Sequence, residues 1–211
     1  MVKVLCLISS GIDSPVAMYK MLETGFEVVA IHFDNQPFTD QKPFEKTKKI
    51  VCFLAEKFHR KIKLYKINHG LNQAEFMRNC DNRHRCLLCR RFMFRIAEKI
   101  AAQESCKYLV TGENLGQVCS QTLQNMTNAL KSVDIEILKP LLSYDKQDII
   151  NLSKKIGTFE FSIEAAVCCN AVPQNPVTKS REESIKFEES KIDVDKLIKS
   201  SIDRAESEIV G

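Results

Sequence analysis

The 211-residue chain has no apolar run approaching the length of a membrane span, which excludes a helical membrane protein. No charged and apolar leader precedes the first structured run, since Met1 reads straight into Val4–Ile8. A cytoplasmic location is therefore expected. The Walker pattern GxxxxGK[ST] is absent too, which sets aside the commonest phosphate-binding loop. Nine cysteines occur without a secretory signal. In a reducing compartment that excludes a disulfide framework and leaves core thiols, metal ligands or redox groups.

Charge is present but unevenly placed. The net charge of +4 divides into 6 basic and 9 acidic residues over 181–211, and 25 basic and 18 acidic residues before them. The basic body suits a polyanionic partner. The size fits one domain, 1–180, with a charged, exposed helical tail, 181–211, whose periodicity (Ile185, Ile192, Leu197, Ile198, Ile202) is weak.

The stretch VKVLCLISSGIDSP, residues 2–15, organises the rest. An apolar run of strand length leads into Ser9, Ser10, Gly11, Ile12, Asp13 and Ser14, and then a helical pattern from Pro15. Small residues between a strand and a helix N-terminus let backbone N–H groups converge, and the helix dipole adds to their attraction for phosphate. The serine hydroxyls add donors. Asp13 would repel bare phosphate, so a magnesium ion carried by phosphates is its natural partner. An ordinary strand–turn–helix corner is the bland alternative.

Strand-like and helical stretches then alternate. Glu27–Phe33 and the run marked by Ile62, Leu64, Tyr65 and Ile67 read as buried strands, with a helix over 44–58 between them. Tyr108–Thr111 and Ile135–Leu138 read as the remaining strands, the latter ended by Pro140. This alternation predicts an α/β fold, a doubly wound, mostly parallel, Rossmann-like sheet. Ligands in such sheets sit beyond the strand carboxyl ends, where the Ser9–Ser14 loop lies, with His32 and Phe33 beside it. Gly112 and Gly116 place another turn at that end, and Gln117 and Gln121 lie one helical turn apart behind it. Asp145 reads as the N-cap of a helix ending at Gly157. Lys146, a cation set against that helix dipole, implies a purpose such as phosphate binding.

Between Arg78 and Arg95 six arginines face one acid, Asp81. Cys89, Phe92, Met93, Ile96, Ala97 and Ile100 form an apolar stripe, and Arg90, Arg91 and Arg95 fall off it, free to meet phosphates. Cys86 and Cys89 form a CxxC placed just before this helix. A redox pair, a zinc site with two further ligands and an iron–sulfur cluster with at least one more cysteine all fit the spacing. Cys168 and Cys169 supply the missing ligand, with Cys80 and Cys119 as competitors. Cys6, Cys52 and Cys106 sit in apolar patterns and read as core thiols.

The loop resembles the SGGxDS loop of the PP-loop ATP pyrophosphatases, with Ser10 where that pattern usually has its first Gly. Ser is tolerated there where φ is negative. The pieces LISSGIDSPVA, RRFMFRIAEKIA, VTGENLGQVCSQTL, ILKPLLSYDKQDIINLSKKIGT and CCNAVPQNPVT extend the likeness. Over residues 4 to 178 the chain resembles the PP-loop domain of the tRNA 4-thiouridine synthases, of the type that lacks a rhodanese domain. The resemblance implies an ATP-dependent tRNA sulfurtransferase. ATP would lie against Leu7, Ile8, His32, Phe33, Arg90, Gly112 and Gln121, with pyrophosphate on Ser9, Ser10, Gly11 and Ser14. Asp13 and Lys146 would serve adenylation, and Cys86, Cys89 and Cys169 would hold a [4Fe–4S] cluster, with zinc as the alternative. A uridine carbonyl would be adenylated and its oxygen replaced by sulfur from sulfide or a persulfide carrier. The family's N-terminal THUMP-type RNA-binding region has no counterpart before the first strand, so tRNA is expected to be gripped with a separate chain. A homodimer is an assembly the sequence leaves open. Adenylation of a different, non-tRNA substrate and a non-catalytic cluster protein are the competing readings.

Overall fold

A computed structural model describes residues 1–116, 118–165 and 169–211. Gln117 and Cys168 lie outside the described residues.

Five parallel strands and one antiparallel edge strand form a single sheet, in the order β5-β4-β1-β2-β3-β6. These are β1 Lys3–Leu7, β2 Glu27–Asp34, β3 Ile62–Asn68, β4 Tyr108–Val110, β5 Ile137–Leu138 and β6 Glu206–Val210. The first three strands read as near-continuous apolar runs because helices cover both faces. Val4, Cys6, Ile8, Val28, Ala30, Ile62 and Leu64 point into one core. There they meet α1 (Asp13–Glu23), α2 (Lys42–Lys57) and α6 (Lys146–Ile156). Their alternate neighbours Leu5, Leu7, Val29, Ile31, Phe33, Tyr65 and Ile67 point the other way. They pack on α3 (Gly70–Asn79), α4 (Arg85–Gln103) and α9 (Val194–Asp203). This two-sided cover makes the fold the doubly wound α/β architecture expected from the alternation.

Local chemistry fixes the elements that bear on function. Asp145 caps α6 by accepting from the Gln147 N–H at 2.8 Å. Gly112, just past β4, presses on α1: a Cβ there would stand 2.6 Å from Ser14 N and Cα. That close approach, which only glycine allows, seats the loop after β4 against the Ser9–Ser14 loop. The remaining described helices are α5 (Leu123–Leu130), α7 (Phe159–Ile163) and α8 (Glu182–Glu189), with 3-10 turns at Asn82–His84 and Cys119–Gln121.

The structure corrects three expectations. The CxxC does not precede α4 but occupies its first turns, because the helix starts at Arg85. The stretch 181–211 is not an exposed helical tail. Ile185 and Ile198 are buried in the second core, and β6 pairs antiparallel with β3 from Glu206 to Val210. A short β-rich end, ESEIV, after two helices gave little periodicity to detect. Arg91 and Arg95 do not face outward to phosphates. Both bind Glu189 of α8, at 2.7 and 3.0 Å for Arg91 and 2.6 and 3.0 Å for Arg95.

Candidate active site

The loop between β1 and α1 folds on its own hydroxyls. Ser14 Oγ accepts from Ser9 N at 2.8 Å and lies 3.0 Å from Ser9 Oγ. Ser10 is not among the residues with positive φ, so serine is accommodated where the pattern has glycine. At the start of α1, Asp13 Oδ1 accepts a hydrogen bond from Lys146 Nζ at 2.6 Å. Lys146 at the first position of α6 therefore leans across to the carboxylate at the N-terminus of α1.

Two cavities open on this loop, and a third adjoins one of them through Arg90 and Met93. The first, of about 170 Å³, is lined by Leu7, Ile8, Ser9, Gly11, Asp13, Ser14, Phe33, Arg90, Gly112 and Gln121 among others. Nine of the eleven expected ATP-site residues, and Asp13 with them, thus fall on one surface. Ser10 and His32 line a neighbouring cavity instead, with Ser9, Gly11 and Cys169. His32 is buried, its Nδ1 3.1 Å from Ile8 O, and burial lowers its pKa to about 4. It supports the loop from beneath as a neutral ring.

Sequence reasoning missed Thr111, Glu113 and Met93 in the first cavity. Met93 was hidden in an apolar stripe. Glu113 is 2 % exposed, with Arg90 at 3.2 Å and Lys139 at 3.1 Å. Burial opposes its charge, but those two cations hold its carboxyl below the usual range. Gln121 Oε1 is buried with no hydrogen-bond partner among the described residues. A buried acceptor at a cavity wall is a place for a ligand donor.

The third cavity, of about 240 Å³, is lined by Cys86, Cys89 and Cys169, together with Arg90, Met93 and Gln73. The late loop is held there just after Cys169: Asn170 N donates to Phe38 O at 3.0 Å and Arg85 Nη1 donates to Ala171 O at 2.9 Å. Burial pushes the Cys86 thiol up to about 12, with Cys119, Cys89 and Cys169 nearby adding to the rise. Burial raises Cys89 to about 12 as well, against a lowering pull from Arg90. Buried neutral thiols of this kind ionise when a metal centre takes the proton's place. Cys80 lies elsewhere, its Sγ 3.5 Å from Glu188 O. Cys6 and Cys106 are core thiols and Cys52 packs at the core's edge.

A family model described as "Thiamine biosynthesis protein (ThiI)" matches residues 1–194. The chain belongs to the ThiI family. Among curated ThiI-like relatives, a "Probable tRNA sulfurtransferase" of Alkaliphilus oremlandii is 41% identical over 211 residues, covering 99% of this chain and 54% of its own. One from Methanothermobacter thermautotrophicus, with the same name, is 42% identical over 193 residues, covering 91% and 50%. The chain thus spans about half the length of the curated ThiI relatives it matches. A solved structure described as a 4-thiouridine synthetase–RNA complex with bound ATP superposes with a TM-score of 0.95 at 33% identity, over 100% of this chain and 55% of that one. An NMN synthetase from Francisella tularensis, at 16% identity and a TM-score of 0.58 over 96% of this chain, shares the fold. Among the described residues no helix is long and apolar enough to cross a membrane.

Proposed function

We propose that this chain is the ATP-dependent half of a tRNA sulfurtransferase, which adenylates a uridine carbonyl oxygen and replaces that oxygen with sulfur to give 4-thiouridine. One observation carries the reading: the loop cavity and the cysteine cavity share Arg90 and Met93 as a common wall. An activated carbonyl formed on one side lies next to the sulfur chemistry on the other. The names of the relatives and of the superposed RNA and ATP complex support the same assignment.

In this reading the uridine oxygen attacks the α-phosphorus of ATP and the bond to pyrophosphate breaks. Backbone N–H groups and hydroxyls of Ser9–Ser14 hold the departing pyrophosphate at the N-terminus of α1. Asp13 would hold a magnesium ion, which would offset the charge of the phosphates. Lys146 and Arg90 place positive charge where negative charge develops. Sulfide then attacks the activated carbon, AMP leaves with the oxygen, and a proton is lost as C=S forms. Three cysteines in one cavity beside a guanidinium fit a thiolate-held metal group. Bound by Cys86, Cys89 and Cys169, a [4Fe–4S] cluster would supply iron able to carry sulfur. In this reading a THUMP-type RNA-binding region grips the tRNA, and sulfur comes from sulfide or a persulfide carrier.

Nucleoside mass spectrometry of tRNA from a strain lacking this chain tests the proposal. Loss of 4-thiouridine, restored by the wild-type chain and not by Asp13→Ala, is expected. Unchanged 4-thiouridine would sink it.

A further inference from the structure

Cys86 and Cys89 are not equivalent. Cys89 Sγ sits 3.3 Å from His69 Nε2 and accepts from Gln73 Nε2 at 2.9 Å. His69 is wholly buried, and among the described residues no acid lies against its ring, which packs on Phe33 and Phe76. Such an imidazole is neutral and carries one N–H, so which nitrogen holds it decides whether His69 offers Cys89 a proton or a lone pair.

The neighbours decide it. Ser201 Oγ donates its proton to Leu197 O at 2.9 Å and so accepts from Asn72 Nδ2, also at 2.9 Å. The amide nitrogen therefore faces Ser201, and its second N–H points at His69 Nδ1, 3.1 Å away. Nδ1 must accept, which leaves the proton on Nε2, aimed at the sulfur. His69 cannot drift from this line. Its backbone N–H donates to Asp34 O at 2.7 Å, and Gly70 passes so close to Gln36 that a Cβ would stand 1.7 Å from Gln36 O.

We propose that His69 is a positioning residue for Cys89: locked as its Nε2–H tautomer by Asn72, it donates a hydrogen bond to the sulfur that ligates the metal group, and the lock is anchored in α9 of the C-terminal segment. The proposal rests on the reading of Cys89 as a ligand. Outer hydrogen bonds of this kind orient a ligand and tune its centre. N–H donors on cluster sulfurs stabilise the reduced, more negative state, so they raise the reduction potential.

The test has a metal-free arm and an iron-loaded arm, both on the full chain. Long-range 1H–15N spectra of the metal-free protein should show His69 protonated at Nε2, and Asn72→Asp, which demands a donor, should move the proton to Nδ1. A wild-type His69 protonated at Nδ1 would overturn the proposal. After anaerobic iron loading, His69→Phe should shift the reduction potential to more negative values and weaken metal retention ~10- to 100-fold, and His69→Gln, which keeps an N–H, should restore part of the shift. An unchanged potential in folded His69→Phe would overturn the proposal. Failure of the wild type to take up iron would overturn the cluster reading alone, and the metal-free spectrum would then decide the proposal.

Discussion

Asp13 and Lys146 are the residues on which turnover should depend most steeply. They come from positions 133 residues apart and meet at 2.6 Å at the N-terminus of α1. A neutral Asp13→Ala or Lys146→Met leaves both helices intact, since neither side chain is in the core. Each should lower pyrophosphate release ~10²- to 10³-fold, the usual loss when one preorganised charge is removed from a transition state. A steady-state pyrophosphate assay with circular dichroism as fold control measures it, and near wild-type turnover would count against the assignment. Cys86→Ala, Cys89→Ala and Cys169→Ala should behave differently. Each should lose anaerobically bound iron and sulfur transfer yet keep ATP affinity, because none of the three lines the loop cavity that holds Arg90, Gly112 and Gln121. Iron analysis beside an ATP titration separates the two functions. Stoichiometric zinc with full activity and no iron would contradict the cluster.

Between elements, two charge clusters do the joining. Glu189 ties α8 to α4 through the forks of Arg91 and Arg95, and Arg91 also donates to Asn128 O of α5 at 2.5 Å. Glu189→Gln would leave buried Arg91 without its counter-charge, and removing one partner of a buried pair typically destabilises by ~3–5 kcal/mol. Urea unfolding should show the loss as a lower midpoint with an unchanged slope. At the far end of α4, Glu104 receives Lys63 Nζ at 2.7 Å, Tyr65 Oη at 2.5 Å and Lys3 Nζ at 3.3 Å, clamping the helix to β1 and β3. Burial opposes the charge, but these hydrogen bonds outweigh it and bring Glu104 from 4.5 down to about 2. A carboxyl depressed on folding stabilises above its unfolded value. The contribution is therefore complete above pH 4.5 and fades as pH falls towards about 2. Unfolding midpoints measured from pH 7 to pH 3 should fall, and Glu104→Gln should flatten that slope. An equal slope in the variant would assign the acid sensitivity elsewhere.

Across the whole molecule, the five parallel strands and the loop were legible from the sequence because their signals are local, while the antiparallel edge strand β6 was not. Buried parallel strands are continuous apolar runs, and a strand–Ser–Gly–Asp–Ser–helix junction needs only neighbouring residues. The roles of His69, Gln73 and Glu113 were not legible, since each depends on a partner in a distant element. Arg91 and Arg95 misled for the same reason: an arginine off an apolar stripe reads as exposed until Glu189, over 90 residues later, covers it. The C-terminal segment was misjudged because its acids, surface-like in composition, serve as buried counter-charges. A chain ending at residue 180 should accordingly be insoluble or bind a hydrophobic dye strongly. A soluble, cooperatively unfolding truncation would show the first 180 residues to be self-sufficient.

A wall one side chain thick between the loop and cysteine cavities also governs stoichiometry. An adenylated carbonyl is as open to water as to sulfide, and every molecule lost to water consumes an ATP and regenerates the starting base. Arg90 and Met93 thus stand where coupling between nucleotide consumed and sulfur installed is decided. Met93→Ala, which opens the partition without touching a charge, should release more AMP than thiolated product, while the wild type keeps the two near parity. A ratio that stays at parity in the variant would place the barrier to water elsewhere.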